Sequence, residues 1–118
     1  MNASKVRGTA WESAIVAFLR MRGVPHAERR ALGGTNDRGD IAGIPDVVIE
    51  AKSAARVELA AWVDEAEVER VNDNASVSAV WFKRRGKISP GAGFVLMTGD
   101  QFVDLLKAAG YIPPGGTG

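Results

Sequence analysis

Apolar residues recur along this chain with two different periods, and the changes of period mark its elements. Trp11, Ala14, Ile15, Phe18 and Leu19 stand at i, i+3, i+4, i+7 and i+8, the spacing of one helical face. They predict a helix from Thr9 to about Arg22. Thr9, with Glu12 three residues on, reads as a capping box, and Gly23 and Pro25 read as the stop. "HAERRAL" then predicts a short strand, and "GGTNDRG" a glycine-rich loop. In "GDIAGIPDVVIEAKS" the period drops to two. Asp40–Ala42 predicts one strand, Gly43–Pro45 a turn and Asp46–Ser53 a second strand, rich in β-branched residues. A second helix is expected from about Arg56 to Asn72, with Leu59, Trp62, Val63, Ala66 and Arg70 along one side. "VSAVWFK" (77–83) and "GFVLMTG" (93–99) predict two further strands joined by "RRGKISPGA". A last helix, Asp100–Ala109, carries Phe102, Val103, Leu105 and Leu106. The order αβββαββα implies an α/β fold, a central mixed β-sheet flanked by helices.

Length and composition narrow the class. A chain of 118 residues that is 46% hydrophobic can bury one workable core, so residues 1–112 are expected to form a single domain. The closing "PPGGTG" has little to pack with, and 113–118 are expected to be a flexible C-terminal tail. Cysteine is absent, which removes disulfides and thiolate metal sites. The opening residues lack an apolar signal core, and no run approaches the ~20 residues of a membrane span. The expectation is a soluble, cytoplasmic protein.

Net charge is only +1, but it is unevenly spread: seven basic against three acidic residues through Arg38, three against nine from Gly39 to Ala75, and five against two from Ser76 onward. Basic flanks around an acidic middle suit a polyanion gripped at the edges, and equally suit an ordinary solvated surface.

The middle segment holds the chemistry. Alternation sends Asp46, Val48, Glu50 and Lys52 to one side of the strand and Val47, Ile49 and Ala51 to the other. Glu50 and Lys52 are then roughly 6.5–7 Å apart, while Asp46 is roughly 13 Å from Glu50, too far to share an ion with it. A turn centred near Pro45 places Asp40 opposite Glu50, with Cβ atoms roughly 4.5–5.5 Å apart, unless the register slips by one. Two facing carboxylates need a cation between them. Oxygen ligands without cysteine or clustered histidine favour magnesium or manganese. Such an ion polarises a phosphoryl oxygen and acidifies a bound water, and a neighbouring lysine can stabilise the developing charge. Metal-dependent phosphodiester hydrolysis is the expected chemistry; a wet surface hairpin with a Glu50–Lys52 salt bridge is the plain alternative.

An aspartate, about ten residues, then Glu-x-Lys on a hairpin resembles the PD-(D/E)xK nuclease superfamily. "RGTAWESAIVAFLRMRGVPHAERR…GGTNDRGDIAGIPDVVIEAK" resembles more narrowly its Holliday junction resolvase type, which includes archaeal resolvases and resolvase-like endonucleases of actinobacterial phages. The motifs span residues 5 to 53, with looser similarity in "LAAWVDEAEVER", "KRRGKISPG" and "MTGDQFVDLL". The resemblance implies a restriction-endonuclease-like core forming one nuclease domain. It implies Mg2+, with Mn2+ as a substitute, held by Asp40, Glu50 and the carbonyl of Ala51. It implies that Lys52 positions the attacking water, that Glu12 reaches in from the first helix, and that cleavage leaves 5′-phosphate ends. It implies a homodimer acting on a four-way junction in the host bacterial cytoplasm if phage-encoded. The literal "PD" is Pro45-Asp46, which distance removes as a ligand and leaves to cap the turn.

Several residues read two ways. Glu12 is a capping residue by local pattern and a site residue by resemblance. Arg29 and Arg30 point to opposite sides, and one could touch the scissile-strand phosphate; Arg30 matches the family arginine better. Lys83, Arg84, Arg85 and Lys87 form a basic hairpin tip, a phosphate clamp or simply a soluble loop, and Lys5 and Arg7 give a weaker version of the same hint. His26, the only histidine, reads as structural or solvated; Trp62 reads as core or dimer interface. Asp64, Glu65, Glu67 and Glu69 form an acid-rich helix face expected to meet solvent or a basic patch on a partner. Rival readings are a flap, fork or general duplex endonuclease of the same superfamily, a catalytically silent DNA-binding module, and a phage structural protein carrying the motif by accident.

Overall fold

Nothing in residues 3–8 opposes a helix: proline is absent, and Gly8 costs only about 1 kcal/mol relative to alanine. The computed structural model describes residues 3–30 and 39–113, with side chains from residue 8 onward. In it α1 runs Ala3–Met21. Thr9 is therefore interior, and the expected capping box does not form. A capping motif is a local signal, and here helix-compatible residues in front of it override it.

The strands are β1 Glu28–Arg29, β2 Ile41–Ala42, β3 Val47–Lys52, β4 Val77–Phe82 and β5 Phe94–Leu96. Helix α2, Leu59–Asn72, lies between β3 and β4, and α3, Gly99–Ala108, follows β5; a 3₁₀ turn spans Pro90–Ala92. The strands make one mixed sheet in the order β1-β2-β3-β4-β5. All pairs are antiparallel except β3 and β4, which α2 connects in parallel. This is the helix-flanked mixed sheet expected of the chain. Helix α2 begins at Leu59, the first residue of its apolar stripe and three residues after the expected Arg56, and β5 is shorter than its apolar run. Most of the glycine-rich loop (31–38) and the end of the tail (114–118) lie outside the described residues.

Strand alternation divides the core between the two faces. On one, Trp11, Ile15, Val16 and Leu19 of α1 pack on Ile41 and Ile49, with Val47, Ala51 and Trp81 at the margin. Each fully buried aliphatic side chain there contributes about 1.5–3 kcal/mol relative to exposure. Trp11 Nε1 donates to the Trp81 carbonyl at 3.0 Å, tying α1 to β4. On the other face, Trp62 and Ala66 of α2 cover Val80, with Phe82 and Leu96 beside them. Helix α3 joins this second face through buried Gln101, whose side chain bonds to Ser78 and Glu67. Trp62 is thus core, and His26 is exposed.

Two glycines set the β2–β3 hairpin. Gly43 has φ +119°, and a Cβ there would lie 2.6 Å from Ala27 Cα. Gly39, at φ +95°, lies so close to Val48 that a Cβ would meet its Cγ1 at 2.8 Å. Only glycine fits either position. Asp46 has φ +68°, a conformation that aspartate tolerates. Its carboxylate and carbonyl both accept from Ser76 N, at 2.8 and 3.2 Å, so it joins the start of β3 to the start of β4. Among the described residues no helix is long and apolar enough to cross a membrane.

Candidate metal centre

The face of β3 turned toward α2 carries Val48, Glu50 and Lys52. Opposite it, α2 presents Trp62, Ala66 and Glu69, spaced i, i+4 and i+7, and these three are its buried residues. Glu69 therefore points inward at 2% exposure, facing Glu50 at 4% exposure. Glu65, one turn before Glu69, completes the group: one carboxylate oxygen from each of Glu50, Glu65 and Glu69 lies within 4.8 Å of the other two.

Asp40 approaches from the neighbouring strand. The pairing Ile41↔Ile49, carried one residue outward, sets Asp40 across from Glu50. Its Oδ2 accepts from Ala51 N at 2.8 Å, and its own amide donates to Ile49 O at 2.9 Å. Backbone groups of Ile49 and Ala51 thus face the β2 side, and the Ala51 carbonyl shares that direction. Gly39, which allows the chain to pass tight against Val48, is what brings Asp40 to this point.

The electrostatics follow from crowding acids in a low-dielectric interior. Burial pushes the Glu50 carboxyl far above its usual range, and contacts with Asp40 and Glu69 push it further. Among the described residues, Glu50 Oε2 is buried and meets no hydrogen-bond donor. Lys52 is half-buried, and its Nζ bonds Glu65 Oε2 at 2.8 Å. Burial alone would lower the lysine pKa; the Glu65 hydrogen bond and the charges of Glu50, Glu65 and Asp40 outweigh it and hold the ammonium above its ordinary range. Glu12, from α1, is raised by burial, lowered by its bond to Arg29 and raised by the nearby charge of Asp40. Arg29 Nε sits 3.1 Å from Glu12 Oε1.

Such a group of acids could accommodate a cation. Among the described residues, Asp40, Glu50, Glu65 and Glu69 bring four carboxyl groups together beside the ammonium of Lys52. The donors are all oxygen, and one buried oxygen lacks a donor, so the residues fit a hard metal ion. Glu50, Glu65 and Glu69 could hold it.

Of the residues singled out in the sequence, Glu12, Asp40, Glu50 and Lys52 come together. Arg29 joins them through Glu12, while Arg30 pairs with Asp73 at the end of α2 (3.6 Å). Lys83, Arg84, Arg85 and Lys87 are exposed on the β4–β5 connection. The side chains of Lys5 and Arg7 lie outside the described residues. The acidic face of α2 is corrected in part: Asp64 and Glu65 are exposed, Glu65 also bonding Lys52, whereas Glu69 is buried and Glu67 bonds Arg70, Ser78 and Gln101. The signal for Glu69 is its place in the 62–66–69 stripe, which outweighs the ordinary association of acids with solvent. Compared with family models, curated proteins and solved structures, the chain matches none at a significant level.

Proposed function

We propose that this chain is a divalent-metal-dependent endonuclease hydrolysing phosphodiester bonds in branched DNA, with magnesium as the working ion and manganese as a substitute. The observation that carries the reading is buried Glu50, with one oxygen lacking a donor, among Asp40, Glu65 and Glu69 and beside the Lys52 ammonium. An enzyme interior collects acids in this way at a high desolvation cost, and a bound cation offsets it. Asp40, Glu50, Glu65 and Glu69 are the side chains that would hold the ion, with the Ala51 carbonyl on the same side as Asp40. Bound there, the ion would supply Lewis-acid stabilisation of phosphoryl oxygens and a more acidic water.

The remaining chemistry belongs to the chain. Lys52 Nζ stays protonated and is held by Glu65, so it donates to a non-bridging phosphate oxygen or orients the attacking water. Glu12, with its raised pKa, is suited to exchange a proton near that water. Arg29 keeps Glu12 in place and offers its exposed guanidinium to the strand. The basic β4–β5 connection supplies backbone contacts without base readout, which suits recognition of branched shape over sequence. Two copies related by a twofold axis would cut opposing strands and leave 5′-phosphate ends, as the resemblance implies.

The test is a magnesium titration on a labelled four-way junction, a fork and their component duplexes, with both strands mapped. Asp40→Asn and Lys52→Ala are expected to lower cleavage by about 10²–10³-fold while branched-DNA binding persists. Cleavage unchanged in both variants, or no magnesium-dependent nicking by the native chain, would overturn the proposal.

A further inference from the structure

Directly after Lys52 the chain enters a groove of about 580 Å³ lined by Ser53, Val57, Phe82, Lys83, Arg84 and Phe94, with Arg85 at its rim. The groove follows Lys52 along the chain, and Lys83 N, on its lining, donates to the Lys52 carbonyl at 3.0 Å. Its charge is one-sided. No carboxylate lines it, and among the described residues Lys83, Arg84 and Arg85 enter no ion pair. Its floor is aromatic. Phe94, on edge strand β5, is 46% exposed, and its ring lies 5.2 Å from that of Phe82. The Arg84 guanidinium stands over Phe94, 5.4 Å from the ring centre.

Cations alone would serve any polyanion, and an exposed ring alone would serve any apolar group. Together on one wall they match a strand whose bases are free to stack and whose phosphates run alongside. A duplex keeps its bases paired and offers Phe94 no π-face, and sequestering phosphates alone would not require an exposed ring. We infer that this groove binds a single-stranded DNA segment adjoining the cleaved bond, one base stacking on Phe94 or on the Arg84 plane and the phosphates meeting Lys83, Arg84 and Arg85. The choice of DNA rests on the endonuclease reading; the preference for an unpaired strand rests on the groove. Within branched DNA it moves the preferred substrate from a fully paired four-way junction to a fork or flap with an unpaired arm.

The experiment measures fluorescence anisotropy with the full chain in EDTA, so that nothing is cut. The probes are a labelled oligothymidylate, the matched duplex, an abasic oligomer with the same phosphates, and the matched RNA. The DNA single strand should bind tightest of the four. Phe94→Ala should weaken it by about 5- to 150-fold and leave the abasic oligomer unchanged, with Phe94→Tyr restoring affinity. Arg84→Gln, at an exposed position, should weaken it about fivefold and carries the test should Phe94→Ala fail to fold. Tighter binding of duplex or RNA, or loss of single-strand and abasic affinity in equal measure in Phe94→Ala, would overturn the inference. So would single-strand affinity unchanged in a folded Phe94→Ala or in Arg84→Gln. Magnesium-dependent cleavage without single-strand binding would sink this inference alone. Single-strand binding without cleavage would sink the endonuclease reading alone.

Discussion

Replacing Glu50 by glutamine keeps the side chain's size, removes its charge, and should stabilise the ion-free protein. In the fold the Glu50 carboxyl titrates well above its ordinary value of 4.5, because burial, Asp40 and Glu69 all disfavour the anion. The folded state therefore holds this proton more tightly than the unfolded state does. At pH below about 4.5 both states are protonated and nothing is lost; above it, stability falls by about 1.4 kcal/mol per pH unit until the folded value is reached. At about pH 7.5 the loss is at most about 4 kcal/mol, and relaxation around the group lowers it, so about 2–4 kcal/mol is expected. Glutamine escapes this loss, and its amide can donate to Asp40 or Glu69. For a chain of 118 residues the gain corresponds to roughly 8–16 °C in Tm. Urea denaturation in EDTA at about pH 7.5 and again at about pH 5 measures it. Glu50→Gln should exceed the native chain at the higher pH, and the gap should nearly close at the lower. Magnesium at 100 times its Kd should add about 2.7 kcal/mol to the native chain and much less to the variant. A variant less stable than the native chain at about pH 7.5, or a gap independent of pH, would refute the reasoning.

Two further predictions concern residues outside the acid group. Asp46→Asn keeps an acceptor for Ser76 N and tolerates the positive φ, so cleavage should match the native rate although Asp46 completes the literal "PD". Asp46→Ala should lower stability by about 1–2 kcal/mol in urea melts, through the lost bond and the strained backbone. Glu67 titrates in the opposite sense to Glu50: Arg70 first, then Ser78 and Gln101, hold its carboxyl below the ordinary value. Its contribution is present above about pH 4.5 and lost as pH falls through the lowered value, so acid unfolding of Glu67→Gln should begin from a less stable protein and show a shallower pH dependence.

How much of this was legible in the chain depends on how local each signal is. The period of two in 46–52, with a Gly-Ile-Pro turn before it, placed Glu50 and Lys52 on one face and Asp40 opposite Glu50; a one-residue slip would have moved every side chain to the other face. The observed pairing Ile41↔Ile49 keeps that arrangement. Glu69 and Glu65 were not legible in the same way. Their meeting with Glu50 depends on α2 lying across β3, a tertiary fact, and an acid in a helix ordinarily signals solvent. The stripe Trp62, Ala66, Glu69 carries that signal, whereas the expected helix side runs on to Arg70, whose guanidinium instead pairs with Glu67. The start of α1 shows the converse, a strong local cap overridden by helix-compatible residues before it. The aromatic floor of the basic groove was equally hidden, since Phe82 and Phe94 come from different strands.

The most direct test of the central claim is the anomalous scattering of a crystal of the native chain soaked with Mn2+. The account predicts a peak within coordination distance of a Glu50 oxygen, between β3 and α2 and shared with Glu69, Glu65 or Asp40, that is absent in Glu50→Gln. No peak there, or one that survives the substitution, would contradict it.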